Sequence, residues 1–276
     1  MKKLLYLLLV STSFAFSQQT KFQKIDSLLT FLNTNNKFMG ELSIIEKGKM
    51  VFSKAYGFAD VESGKKLDVN TKLKIGSITK TFTATMIMQL VDEKKLTLDT
   101  KLSKFYPKIP NADKITIHHL LHHRTGIPDL VKRMENYTSA FEPNSQHKYS
   151  NSNYNLLGYI IEDITKKSFS ENLNTRIIKK IGLKNTLFPT KIDISKNEGN
   201  SYFFDGKNWT KVPEWHSSLS FAAGAMASTT DDLNLFLEAL LEGKLTSKSS
   251  LEQMKSMEDY YGKGLIIAPF ENRKFY

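Results

Sequence analysis

The most informative stretch of the chain is KIGSITKTFTATMIMQLVDE, residues 74–93. Gly76 permits a tight turn of the backbone, and Ser77 follows it at the start of an apolar run. The apolar positions of this run are Ile78, Phe82, Ala84, Met86, Ile87, Leu90 and Val91. Their spacing predicts a largely buried helix with Ser77 at its N-terminus. Lys80 lies three residues after the serine, so its amine comes round to the same side of the first turn and can reach the Ser77 hydroxyl.

A serine at the start of a helix is most often only an N-cap, and Ser-x-x-Lys is a common pattern. The pattern occurs in this chain at Ser63/Lys66, Ser77/Lys80 and Ser145/Lys148. Ser63 lies in a turn signal and Ser145 in a polar loop, whereas Ser77 has a glycine before it and an apolar helix after it. Ser77 is therefore the candidate nucleophile, and Lys80 is its candidate partner.

The composition is that of an ordinary globular protein, with 276 residues of which 40% are hydrophobic. This length is enough for one large domain or for two lobes with a substantial core. The chain has no cysteine, which excludes disulfides and a thioether-linked lipid.

The formal net charge of +11 raises the question of a nucleic-acid partner. The lysines are scattered through the chain and form no single basic cluster, so we expect no nucleic-acid partner. We interpret the charge as a solvated surface. Attraction to anionic polymers of the cell envelope is the lesser alternative.

The N-terminus has the pattern of a secretory signal peptide over residues 1–17. Lys2 and Lys3 precede the apolar run Leu4–Val10, and Ala15 and Ser17 supply small residues where a signal peptidase cleaves. The apolar run is too short to span a bilayer, and no later stretch approaches the required length. We therefore expect a secreted or periplasmic protein with no membrane span after cleavage of the signal.

Hydrophobic periodicity after residue 17 predicts an α/β fold. An amphipathic helix is expected from Phe22 to Leu32, followed by a hairpin with strands Leu42–Ile45 and Met50–Tyr56. Further buried helices are expected over Leu156–Ile164 and Leu173–Ile181 and from Thr229 onward. A strand is expected over Tyr261–Ala268, and a second one beginning at Arg273.

Four of the six histidines lie close together in the sequence, as the pairs His118/His122 and His119/His123. A spacing of four residues places each pair on one face of a helix, which is the arrangement of a zinc site. No glutamate stands between the pairs as a general base, and no third ligand is evident nearby. We therefore expect structural or surface histidines, with no metal and no cofactor.

Tyr149-Ser150-Asn151 lies in a loop just ahead of a buried helix, far downstream of Ser77. It completes an ordered set of motifs: Gly76-Ser77-x-x-Lys80, Leu120-Leu121-x-His123-x-Thr125-Gly126-Ile127-Pro128, Tyr149-Ser150-Asn151 and Ala223-Gly224-x-Met226-x-Ser228-Thr229-x-x-Asp232-Leu233. With these motifs, the chain from about residue 22 onward resembles the serine β-lactamase-like superfamily. The resemblance is strongest to the branch of class C β-lactamases, D-alanyl-D-alanine carboxypeptidases and related esterases.

The resemblance implies a two-lobed α/β fold, with an antiparallel sheet flanked by helices and a second lobe that is all α. Residues 18–276 would form the serine hydrolase domain. Its α/β lobe would comprise about 18–76 and 225–276, and its helical lobe about 77–224.

The resemblance also assigns roles to four residues. Ser77 matches the acylated serine, Lys80 the motif lysine, Tyr149 the proton-shuttling tyrosine, and Asn151 the asparagine that holds the lysine and the substrate's amide. Near neutral pH a serine hydroxyl needs an adjacent base. Lys and Tyr have reference pKa values of about 10.4 and 10. The pKa of either residue must be lower than this in the protein for it to act as the general base near neutral pH. Burial lowers the pKa of a lysine and a neighbouring cation lowers that of a tyrosine, so the choice between Lys80 and Tyr149 stays open.

The family has a third motif, His/Lys-x-Gly on a late strand, which supplies part of the oxyanion hole. This sequence has no such motif, and we expect that it stops a residue or two before it, without the last strands and closing helix. Two interpretations follow. The first is a secreted serine hydrolase that acts through an acyl-enzyme on a D-alanyl peptide, including peptidoglycan peptides, a β-lactam or a small ester. The second is a non-catalytic short form of the same fold that binds such ligands.

Overall fold

The structure is a computed structural model that describes residues 21–129, 137–189, 191–214, 217–266, 268–270 and 273–275. The expected signal peptide, residues 1–17, lies outside the described residues and stays a prediction. Among the residues described, no helix combines the length and apolar character needed to cross a membrane.

The strands of this part of the chain are short. They are β1 Gly40–Glu46, β2 Lys49–Tyr56, β3 Phe58–Asp60, β4 Lys65–Lys66, β5 Leu73–Lys74, β6 Tyr202–Phe204, β7 Trp209–Lys211, β8 Ala227–Ser228, β9 Ala268–Phe270 and β10 Arg273–Phe275. The α-helices are α1 over 21–34, α2 Thr79–Asp92, α3 Ile117–Leu121, α4 Asn151–Thr165, α5 Phe169–Leu173, α6 Lys179–Ile181, α7 Ser217–Gly224, α8 Thr230–Leu241 and α9 Lys248–Lys255.

The predicted N-terminal helix and hairpin are present as α1, β1 and β2. The two strands pair antiparallel from Gly40↔Tyr56 to Glu46↔Lys49. Lys47 and Gly48 both have positive φ, at 50° and 73°, which is the geometry of a two-residue hairpin turn that follows the strand twist. Helix α8 packs on β1, so the hairpin is covered by a helix late in the chain.

The predicted central helix corresponds to α2, which is the most buried helix of the core. Phe82, Met86 and Leu90 have no exposed surface, and α2 contacts α4, α7 and α9. Ile78, which was expected to be part of the buried run, is 47% exposed. It lies in the 3-10 turn Gly76–Ile78 that precedes α2, before the helix enters the core.

The predicted apolar stripes of the later helices are confirmed. Leu156, Leu157, Ile160 and Ile161 are buried on α4, and the second stripe runs through α5, a π-helical turn at Asn174–Ile178, and α6. Gly182 ends α6 in the left-handed conformation, with φ 73°. Thr229 caps α8 by accepting a hydrogen bond from the backbone N–H of Asp232.

Two regions differ from the sequence predictions. The range 77–224, expected to form the helical lobe, also holds the hairpin β6–β7. The strand expected over Tyr261–Ala268 is wrong in its bounds, because the paired strand is Ala268–Phe270, opposite Arg273–Phe275. Residues 261–265 instead turn, with Gly264 at φ 75°, and a Cβ there would lie 2.6 Å from the Ala84 Cβ on α2. The chain approaches α2 too closely at this point for a regular strand with side chains on both faces.

Candidate active site

Ser77 lies on an exposed 3-10 turn that the structure holds at both ends. Gly76 has φ 50°, a conformation that a residue with a Cβ rarely adopts. On one side β5 pairs with β8, and the Ile75 N–H donates to the Met226 carbonyl at 3.1 Å. On the other side α2 begins at Thr79. The serine hydroxyl is therefore presented to solvent on a fixed backbone.

Lys80 lies beneath the serine and is 1% exposed. Its Nζ is 3.2 Å from the Ser77 Oγ, 2.7 Å from the Asn151 Oδ1 and 2.7 Å from the Ala223 carbonyl oxygen. These three acceptors match the three N–H groups of an ammonium. Burial nevertheless lowers the pKa of Lys80 to about 8, and the negative charge of Asp129 opposes this shift.

Tyr149 reaches the same hydroxyl from the loop before α4. Its OH donates to the Ser77 Oγ at 2.9 Å, and the Lys80 Nζ lies 4.8 Å from the centre of its ring. A neighbouring cation was expected to lower the pKa of this tyrosine. Burial instead raises the pKa of Tyr149, and the hydrogen bond with Ser77 opposes the rise only in part.

Asn151 is the first residue of α4 and joins Lys80 to Asp129. Its Oδ1 accepts from Lys80, and its Nδ2 donates to the Asp129 Oδ2 at 3.2 Å. The Asn151 backbone N–H also donates to the Asp129 Oδ1 at 2.6 Å. A carboxylate is favourable at this helix N-terminus. The structure thus brings all four predicted site residues into one hydrogen-bonded group, while their catalytic roles remain predictions.

Sequence reasoning missed His123 as a support of this site. The side chain is fully buried, and its Nδ1 accepts the Ser150 backbone N–H at 3.1 Å. Its ring centre lies 4.4 Å from that of Tyr149, with the two planes tilted by 33°, and 4.7 Å from that of Tyr261. Burial lowers the pKa of His123 to about 3, so the ring is neutral and its Nδ1 can accept. His123 therefore fixes the loop that carries Tyr149.

The four clustered histidines have different environments. His119 forms a capping box with Thr116, whose backbone N–H donates to the His119 Nδ1 at 3.3 Å. His118 instead contacts Glu258, with 2.9 Å between Nε2 and Oε1. His122 is fully buried, and burial lowers its pKa to about 3.

An open pocket of about 410 Å³ begins at Ser77. Its lining among the described residues is mainly apolar: Ile78, Leu233, Phe236, Leu237, Leu265 and Ile266, with Ser77, Thr81, Tyr149, Asn234, Tyr261 and Gly264. An exposed serine at the edge of an apolar pocket can meet the carbonyl of a small acyl group.

The fold, together with the similarity to known proteins described next, identifies the class of the protein. It is a hydrolase of the serine β-lactamase-like superfamily. Residues 39–269 match the family model described as Beta-lactamase, and the chain belongs to that family.

The chain is similar to teichoic acid D-alanine hydrolase of Staphylococcus aureus. The two are 26% identical over 275 aligned positions, which cover 93% of this chain and 68% of that protein. Among solved structures it is similar to FmtA from Staphylococcus aureus, with TM-score 0.78 and 26% identity over 91% of this chain and 76% of that chain. It is also similar to D-amino acid amidase from Ochrobactrum anthropi SV3, with TM-score 0.75 and 25% identity over 91% of this chain and 81% of that chain.

Proposed function

We propose that this protein is an exported serine hydrolase that forms an acyl-enzyme on Ser77 and acts on D-amino acyl esters or amides. One observation carries the proposal. The Ser77 Oγ lies within hydrogen-bond distance of both the Lys80 Nζ, at 3.2 Å, and the Tyr149 OH, at 2.9 Å. A serine with a base and a second proton-carrying group at this distance has the arrangement of an activated nucleophile.

Lys80 is the general base of acylation. A pKa of about 8 leaves part of the lysine neutral near pH 7, whereas the raised pKa of Tyr149 keeps the phenol protonated. Neutral Lys80 accepts the proton of the Ser77 hydroxyl as the bond from Oγ to the substrate's carbonyl carbon forms. The bond from that carbon to the leaving oxygen or nitrogen then breaks, and the leaving group takes a proton from Tyr149, which is replenished from Lys80.

Deacylation reverses the direction of proton transfer. A water molecule gives a proton to the Lys80–Tyr149 pair as its oxygen bonds to the acyl carbon. The Ser77 Oγ regains a proton from the same pair when the ester bond breaks. Asn151 keeps the Lys80 amine in place throughout through the 2.7 Å contact.

Two features support a D-amino acyl substrate. Two of the similar proteins carry the names teichoic acid D-alanine hydrolase and D-amino acid amidase. The pocket beside Ser77 is mainly apolar and, at about 410 Å³, is large enough to admit an acyl group of that size. D-alanyl peptides and β-lactams also present a carbonyl carbon that a serine can attack. They are the alternative substrate classes within this proposal.

The test is hydrolysis of matched D-alanyl and L-alanyl methyl esters, followed by chromatographic detection of free alanine. We expect faster release of D-alanine, loss of this release in Ser77→Ala, and unchanged release in Ser63→Ala. Ser63 is a suitable control because it belongs to an exposed Ser-x-x-Lys sequence in a turn.

Undiminished release in Ser77→Ala would overturn the proposal. Equal rates with the two enantiomers would reject the D-amino acyl preference and keep the hydrolase. Noncovalent binding of a β-lactam by folded protein, with no turnover of any substrate, would support the non-catalytic alternative.

A further inference from the structure

The turn at residues 258–261 brings a carboxylate to His118 on α3 and to His122, the residue that follows this helix. Glu258 and Tyr261 exchange both backbone hydrogen bonds, at 3.0 and 2.9 Å, around the two-residue turn Asp259-Tyr260. Both turn residues have positive φ, at 50° and 65°. The backbone of Glu258 is therefore fixed opposite α3, although it is far from the histidines in sequence.

His118, His122 and Glu258 converge at this point. Their candidate ligand atoms all lie within 4.8 Å of one another, and no other such group of three is present among the residues described. A tetrahedral zinc site, with metal–ligand distances of about 2.0–2.1 Å, separates its ligand atoms by about 3.4 Å. The His118 Nε2 and the Glu258 Oε1 lie 2.9 Å apart and must separate slightly, and both side chains are partly exposed and free to adjust.

The contact between His118 and Glu258 does not explain the environment of His122. Its side chain has no exposed surface, and neither ring nitrogen makes a hydrogen bond of good geometry within the described structure, although the Tyr261 backbone lies near it. An unpaired buried polar group destabilises a fold. The His118–Glu258 pair satisfies those two residues and leaves the buried ring unsatisfied.

We propose that His118, His122 and Glu258 bind a divalent transition metal, with Zn²⁺ as the ion that suits two imidazoles and one carboxylate. The remaining coordination position faces the partly exposed side, where water can occupy it. The metal would fasten the 258–261 turn to α3. This turn leads directly into a segment of which Tyr261, Gly264, Leu265 and Ile266 line the pocket, so the metal would also order that wall.

Two cations near the site limit its affinity. The Arg124 Nε lies 4.0 Å from the Glu258 Oε2, and its Nη1 forms an ion pair with Asp259. The buried Lys263 donates to the Gln253 carbonyl at 3.0 Å, and its charge acts on His122. We therefore expect weaker binding than in structural zinc sites built from thiolates.

The test is calorimetric titration of the metal-free full chain with ZnCl₂, together with Zn²⁺-dependent thermal unfolding. We expect one equivalent of bound Zn²⁺ and a rise in Tm of several degrees. Glu258→Gln and His118→Gln should weaken binding by about tenfold or more and abolish the rise. Amide exchange of residues 258–266 should slow when Zn²⁺ is added.

Two variants serve as controls that should bind Zn²⁺ like the wild type. Glu252→Gln removes an equally charged, exposed side chain from α9, and His119→Gln keeps a capping residue at the third helical position. Absence of Zn²⁺ binding to the folded wild-type protein would overturn the proposal. So would wild-type affinity in both Glu258→Gln and His118→Gln, since Zn²⁺ would then be bound elsewhere. These readouts do not depend on hydrolytic activity.

Discussion

At the scale of single residues, the site depends on how Lys80 is buried. Three acceptors stabilise its charged form, whereas removal from water disfavours that form. Desolvation is the larger effect, since the pKa falls to about 8. Asp129, bonded to Asn151, holds the pKa above the value that burial alone would give.

The first prediction concerns the pH dependence of acylation. In the proposed mechanism Lys80 acts in its neutral form, so kcat/KM should rise with pH and level off above about pH 8. Asp129→Asn removes the charge that favours the ammonium, which should shift the midpoint of this rise to lower pH. The measurement is a pH–rate profile of each protein with one D-alanyl ester.

Asp113→Asn is the matched control for this shift, because the charge of Asp113 acts on Lys114 and not on Lys80. Its profile should coincide with that of the wild type. A midpoint that stays in place or moves to higher pH in Asp129→Asn would contradict the assignment of Lys80 as the base.

The sequence identified four residues of the site but not their supports. Ser77, Lys80, Tyr149 and Asn151 stand in recognisable motifs, and the structure brings them together. The Ala223 contact uses a backbone carbonyl, which carries no residue-specific signal. The proposed choice of Lys80 over Tyr149 as base rests on how burial shifts the pKa of each, and periodicity does not give burial for residues at the edge of a helix or in a loop.

At the scale of elements, the packing of α4 against α7 positions the Ala223 carbonyl oxygen, which accepts a hydrogen bond from Lys80. Gly158 makes this close approach possible. A Cβ at Gly158 would lie 2.4 Å from the Ala222 Cβ and 2.6 Å from the Phe221 ring, and Ala223 is the next residue along. Helix α4 therefore meets α7 just after the break at Phe221 (φ 28°), where the Ala223 carbonyl accepts from Lys80.

The second prediction follows from this contact. Helix propensity alone would make Gly158→Ala stabilising by about 1 kcal/mol, whereas overpacking costs about 1–3 kcal/mol. Because a Cβ contact of 2.4 Å requires the helices to separate, we expect a lower free energy of unfolding and a lower kcat. Urea unfolding and ester hydrolysis measure the two effects. A variant more stable than the wild type would show that the helices are not in this contact.

Helices were predicted correctly where the apolar periodicity extends over several turns. The prediction failed where the backbone packs closely against a helix and no periodicity is present. The stripes on α2, α4 and α8 were visible because each extends over several turns. The segment 261–266 reads as a strand, yet Gly262 and Gly264 bring its backbone against α9 and α2. The convergence of Glu258 with α3 depends on the adjacent turn at Asp259-Tyr260, so no local pattern could reveal the proposed third ligand next to His118 and His122.

At the scale of the whole molecule, charge is the dominant global property. The formal net charge is +11, or +9 without Lys2 and Lys3 of the expected signal peptide (11 − 2 = 9), and a positive charge of this size attracts polyanions over roughly a Debye length, which is about 10 Å at 0.1 M salt. An envelope polymer that carries D-alanyl esters and phosphate would be drawn to such a surface, whereas a small neutral ester would not.

The third prediction is a difference in salt dependence between these two substrates. For D-alanyl esters on an anionic polymer, kcat/KM should fall by about tenfold between roughly 50 and 500 mM NaCl, because added ions screen the attraction. For a small neutral D-alanyl ester it should change by less than about twofold. An equal response of both substrates would show that the net charge plays no part in substrate capture.

The most direct test of the central claim, that Ser77 is an activated nucleophile, is intact-mass spectrometry after reaction with a fluorophosphonate, followed by peptide mapping. We predict one covalent adduct, located on the peptide that contains Ser77, and no adduct in Ser77→Ala. Folded wild-type protein that stays unmodified, or that carries its adduct on another serine, would contradict the claim.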